Sequence, residues 1–214
     1  MHTTIWRAVR HRGCLIDAPL YRGAKLIFYM KKHLPFVSAV ALFCGANFTM
    51  AADPAAAAAH LKSYTAAGEA VLSMANSQKL DVDVVDKKID IMVADGIWIA
   101  EEYLKVKPEA SKWFKAVFDN IPAIKKLPFE EIEKNWHDGH HFDGKEKEIG
   151  INHQDEKNEH FRNPLDSVTH PLMVQRAAHD YAQKKDAEDI KRIKEEMNEG
   201  LDQVKKAVEV ISKK

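Results

Sequence analysis

Six histidines crowd into residues 137–170: His137, His140, His141, His153, His160 and His170. The remainder of 53–214 holds only His60 and His179, so the enrichment is local. Asp138, Asp143, Glu146, Glu148, Asp155, Glu156, Glu159 and Asp166 are interleaved with them. Imidazole and carboxylate together, with no thiolate nearby, form the donor set that borderline divalent cations such as Zn, Cu, Ni or Co accept. Two subsets have usable spacing. In His137-Asp138-Gly139-His140-His141 the glycine lets the backbone fold so that His137 and one of the later pair converge. In His153, Glu156 and His160, offsets of 3 and 7 place all three on one face if the stretch is helical. His170 is a further donor at the end of the segment. If these side chains hold an ion, binding weakens below about pH 6, where protons compete for the imidazole.

Two plainer readings stand beside this one. A polar excursion rich in His, Asp, Glu and Lys is often a solvated loop whose histidines pair with neighbouring carboxylates. Histidines beside carboxylates also titrate where an exported protein meets changing pH. No motif in the segment specifies a particular metal: there is no His-Glu-x-x-His and no complete EF-hand loop. Phosphate loops, dinucleotide fingerprints and serine-hydrolase elbows are absent from the whole chain.

The elements that must carry these donors are helices. The strongest periodicity lies near the C-terminus, where Ile190, Ile193, Met197, Leu201, Val204, Val208 and Ile211 recur at spacings of three and four and draw one apolar stripe. Asp186 is placed to cap its start. A first helix is predicted from Pro54 to about Ser77, with Leu61, Tyr64, Val71 and Met74 or Ala75 inward and Gly68 allowing a close neighbour. A second, from Asp83 to about Val106, is apolar on most sides and is expected at the bundle centre. Pro108, Pro128 and Pro171 each suit a first helical position, predicting helices with Trp113, Phe114, Val117 and Phe118, then Phe129, Ile132 and Trp136, then Met173, Val174, Ala177, Ala178 and Tyr181 in the core. Pro122 is expected to close the Pro108 helix.

The fold expectation is therefore all-α: an up-and-down antiparallel bundle of about four main helices, one or two short additional ones, and a long His-rich connection over 137–170. A connection of that length inside one domain is usually functional or disordered. Phe142, Phe161 and Leu165 predict that it packs on the bundle, with Trp136 as a wall of any pocket there. His179, nine residues beyond His170, is expected on the opposite face of its helix. Met74, Met92, Met173 and Met197 sit at apolar positions and are expected in the core.

Compartment is suggested by Met30 to Ala51, which has a basic start (Met30, Lys31, Lys32, His33), an apolar centre from Leu34 through Ala46, and the small-residue end Thr49-Met50-Ala51. Its apolar run of about 13 residues is short of the roughly 20 that cross a bilayer, which favours a cleaved signal over an anchor. Residues 1–29 precede the signal, and Met30 is the expected start of the translated product; a long N-terminal extension is the alternative. A lipid anchor on Cys44 is disfavoured by the bulky Phe43 before it. Cleavage near Ala52 leaves 53–214 as a single domain. That domain contains neither Cys14 nor Cys44, hence no disulfide and no cysteine nucleophile, and carries a net charge of −6 from 25 Lys and Arg against 31 Asp and Glu. An acidic surface of mixed signs argues against nucleic acid or an anionic membrane as partner.

The sequence thus predicts an exported, periplasmic or secreted cell-envelope accessory protein that binds a divalent transition metal, or a metal-bearing ligand, through His137, His140, His141, His153, Glu156, His160 and His170. The alternative is a non-enzymatic interaction or scaffold bundle, with the segment as a docking or solvated surface and an envelope protein as partner. Catalysis is the weakest reading, because no spacing shows an open coordination position with a placed acid or base.

Overall fold

Asp53, Asp81 and Asp186 each stand one residue before a helix and accept hydrogen bonds from the amides of its first turn, which would otherwise lack partners. These caps start three of the four long helices in a computed structural model that describes residues 51–213. They are α1 (Pro54–Asn76), α2 (Val82–Val106) and α7 (Ala187–Ser212). Between α2 and α7 the chain forms α3 (Ser111–Ile124), the short α4 (Phe129–Ile132), the short α5 (Glu146–Ile149) and the fourth long helix, α6 (Arg162–Lys184). No strand occurs among the described residues. Residues 1–29 and the expected signal over 30–52 lie outside the described residues, Ala51 and Ala52 excepted.

The four long helices form the core layer, packed α1 on α2, α2 on α6, α6 on α7 and α7 on α1. Cross-helix contacts show that α2 runs antiparallel to both α1 and α6. Asp53 lies at Glu102 and His60 at Asp95; Tyr103 meets His160 and Gln175 meets Asp86; Gly68 faces Met197 and Leu201. The links explain the order, since α1–α2 and α6–α7 are joined by only 77–81 and 185–186. All seven residues of the predicted C-terminal stripe are buried. The α2 helix is less enclosed than its composition suggests, for Ile91 is 41% exposed.

The prolines behave differently from expectation at two places. Pro122 lies inside α3, which continues to Ile124. Pro171 does not start a helix: α6 begins nine residues earlier and runs through it. A proline in a helix interior cannot donate to the carbonyl four residues back, here that of Ser167. The Tyr64 hydroxyl of α1 donates to that oxygen at 2.8 Å and satisfies it. Burial, with Asp166 and Asp95 adding, raises the Tyr64 phenol well above its ordinary value of 10.0, so it remains a neutral donor. The same stretch is a point of close approach. A Cβ on Gly96 of α2 would lie 2.9 Å from the Ser167 oxygen, and one on Gly200 of α7 would lie 3.0 Å from His170 Cβ.

The His-rich segment is consequently shorter and more ordered than a free loop over 137–170. It consists of a π-turn (Glu133–His137), 3-10 turns at His140–Phe142 and Glu156–Phe161, and α5. Phe142, Ile149, Phe161, Leu165 and Val168 are all buried, so the segment packs on the bundle through its few apolar residues.

Candidate metal centre

Helical spacing builds the site. In α6, Asp166 and His170 are four residues apart and stack on one face, both buried. The third member, His137, ends the π-turn that follows α4, and this turn packs against α6. Arg162, one turn before Asp166, donates to the carbonyls of Asp138 (3.0 Å) and His137 (3.5 Å) and so ties the two segments together. One donor atom from each of His137, Asp166 and His170 lies within 4.8 Å of the others, and the two imidazole centroids are 4.7 Å apart. This is the one such group of three or more His, Cys, Asp or Glu side chains among the described residues.

The donor atoms have distinct surroundings. His170 is 1% exposed; its Nδ1 lies 2.7 Å from Glu196 Oε2 of α7, while its Nε2 is buried without a hydrogen-bond partner. An N–H on Nδ1 donating to that carboxylate leaves Nε2 as the ligating nitrogen, the arrangement usual behind metal-bound histidines. His137 Nδ1 is 3.1 Å from Asp138 Oδ1, which frees its other nitrogen in the same way. Burial raises the Asp166 carboxyl above its ordinary 3.8, against the pull of His137, His170 and Arg162. Burial opposes charge on His170 too, but the Glu196 hydrogen bond and the charges of Asp166, Glu196 and Glu199 outweigh it, and its pKa is raised above 6.5. The cluster therefore favours positive charge at its centre. A dication bound there would replace the proton and neutralise the buried carboxylate. Ligands 2.0–2.1 Å from a tetrahedral ion are about 3.3 Å apart, so donors within 4.8 Å of one another need to close by no more than about 1.5 Å.

The structure brings together His137 and His170 of the seven predicted donors; the other five go elsewhere. His140 pairs with Asp143 at 2.8 Å on the surface. His141 stacks on Trp136 at 4.2 Å, and burial with the Lys145 ammonium lowers its pKa. Trp136 is thus a wall for His141, not for the three-donor group. His153 is buried between the rings of Trp113 and Phe142, its Nε2 3.3 Å from Asp143 Oδ1. Gly139 makes room for it: φ is +87°, and a Cβ there would lie 2.9 Å from the His153 ring. Because the helical turn starts only at Glu156, the offsets of 3 and 7 from His153 do not produce a shared face. Glu156 stays exposed, and the His160 ring lies tilted against that of Phe161, with centroids 4.0 Å apart.

Asp166 replaces Glu156 as the carboxylate, and Glu196 and Glu199 of α7 come to the same place. The i, i+4 spacing of Asp166 and His170 is the signal that marks the pair, and it has meaning only once residues 162–170 are helical. His179 pairs with Asp86 of α2 at 3.0 Å, away from the cluster. No helix among the described residues is long and apolar enough to cross a membrane. No family model matches the chain, and neither a curated protein nor a solved structure matches it.

Proposed function

We propose that this is an exported accessory protein of the cell envelope that binds one divalent transition metal at His137, Asp166 and His170. The observation that carries the reading is the convergence of three donors from two separate segments, with a buried histidine nitrogen that has no other partner. His153 and His160 also carry buried nitrogens without a hydrogen-bond partner, so the orphaned atom counts only together with the convergence: His170 Nε2 is the one that belongs to the three-donor group, where a metal ion would supply the missing partner. Two imidazoles and one carboxylate suit Zn, Co or Ni better than Ca or Mg, which prefer all-oxygen shells. The export part of the reading is supported by the basic, apolar and small-residue pattern from Met30 to Ala51.

The test is elemental analysis of the protein purified without a histidine tag, followed by titration of the metal-stripped protein with Zn²⁺. One ion per chain is expected, with binding abolished by His170→Ala and retained by His140→Ala. Absence of bound metal, or equal loss in the two variants, overturns the reading and leaves the interaction bundle in its place.

A further inference from the structure

Three residues of α7 outside the three-donor cluster bear on what that helix does there: Glu196, Glu199 and Gly200, all set against His170. We propose that α7 completes the metal centre, with Glu199 as a fourth ligand that closes over the ion from the solvent side and Glu196 as the positioning residue that holds the His170 ring. This inference rests on the metal reading above.

The argument begins with a glycine. Gly200 brings α7 against α6 at His170, since a Cβ at 200 would meet His170 Cβ at 3.0 Å and Pro171 Cδ at 3.7 Å. At that approach Glu196 and Glu199, three residues apart on one face of α7, both reach the imidazole. They reach opposite nitrogens. Glu196 Oε2 is 2.7 Å from Nδ1, and its side chain is mostly buried; Glu199 Oε2 is 3.9 Å from Nε2, and its side chain is 62% exposed. A buried carboxylate on the far nitrogen fixes the ring's orientation and raises its basicity as a ligand. A carboxylate near the ligating nitrogen, still free to swing, stands within about 0.6 Å of the roughly 3.3 Å that separates neighbouring ligands on a tetrahedral ion.

Charge is consistent with this division of roles. His137 and His170 are neutral as ligands, so Asp166 and the buried Glu196 behind His170 together balance a dication. Glu199, mostly exposed, adds its charge at the solvent side, where water screens it. The resulting shell has two nitrogens and two carboxylate oxygens, a closed four-coordinate set with no position left open for a substrate.

The test uses Co²⁺ as probe on the full-length protein, with visible absorption reporting the ligand shell and competition against a chelator reporting affinity. For Glu199→Gln the proposal expects Co²⁺ affinity to fall about 10- to 100-fold and the absorption bands to change shape as water replaces an inner ligand. For Glu196→Gln it expects a similar loss, about tenfold or more, with band positions kept because the inner shell is intact. Glu195→Gln, on the neighbouring exposed face, serves as the control and leaves both readouts unchanged. If the parent protein binds Co²⁺ and Glu199→Gln matches it in affinity and spectrum, Glu199 is not a ligand. If Glu196→Gln binds as the parent does, Glu196 does not position the ring. A parent protein that binds no Co²⁺ overturns the metal reading itself, and this inference with it.

Discussion

Replacing Tyr64 by phenylalanine removes one oxygen from the core and tests how α6 passes through Pro171. The Tyr64 hydroxyl is buried and donates to the Ser167 carbonyl, the oxygen that Pro171 cannot bond. Phenylalanine keeps the ring and its packing, so little is lost beyond the hydroxyl contacts. What remains is a buried carbonyl without a partner, which costs about 1–3 kcal/mol. Pro171→Ala restores a backbone N–H four residues after Ser167, so in that background the same carbonyl has an alternative donor. Urea unfolding of the parent, the two single variants and the double variant forms a complete cycle. The expected result is a loss of about 1–3 kcal/mol for Tyr64→Phe alone and a clearly smaller loss when Pro171→Ala is present. A loss below about 0.5 kcal/mol, or the same loss in both backgrounds, refutes the compensation.

Gly96→Ala should lower stability by about 1–2 kcal/mol in the same unfolding assay, because overpacking against the Ser167 oxygen at 2.9 Å outweighs the helix propensity gained; a stabilised variant would refute the close approach. Leu201→Ala should cost about 2–3 kcal/mol, near the low end for a core leucine because the site is at the edge of full burial, and a loss below about 0.5 kcal/mol would mean that the stripe does not face the core. The Arg176 hydrogen bond holds the Asp180 carboxyl below its ordinary value of 3.8. Its folded pKa is depressed, so its stabilisation is present above the unfolded value and is lost as the pH falls through the folded one. Unfolding titrations of Asp180→Asn against the parent should therefore differ by about 1 kcal/mol at most at neutral pH and converge in acid. Finally, intact mass of protein recovered from its native envelope should place the N-terminus at Ala52 or Asp53. In the second case the new amino group stands 2.8 Å from Glu102, and Glu102→Gln should destabilise the processed form in particular; a mass retaining 30–51 would defeat the cleavage.

Much of the bundle is legible in the sequence, for identifiable reasons. The α7 stripe, its Asp186 cap and the inward faces of α1 and α3 are local patterns whose meaning does not depend on distant residues. The start of α6 is not legible in that way. Pro171 suits a first helical position, and only the Tyr64 hydroxyl, more than a hundred residues earlier, makes it tolerable in an interior. That one boundary decides the site. With 162–170 taken as loop, Asp166 and His170 have no fixed relation; once the segment is helical, they share a face. His137 is legible as a donor because its residue type and the glycine after it are visible locally. Glu196 and Glu199 are not, since they look like ordinary charges on the polar side of α7 until Gly200 brings that helix against His170. The other histidines of the segment illustrate the opposite error, in which an enrichment of one residue type conceals separate local uses: a hydrogen bond to Asp143 for His140, a stacked ring for His141 and aromatic neighbours for His153.

Anomalous diffraction from crystals of the Co²⁺-loaded protein, collected at the cobalt edge, tests the central claim most directly. The account predicts a single strong peak bounded by His137, Asp166 and His170, with ligand distances near 2.0–2.1 Å. A peak at the His140–Asp143 pair or beside His153, with none between His137, Asp166 and His170, would contradict it.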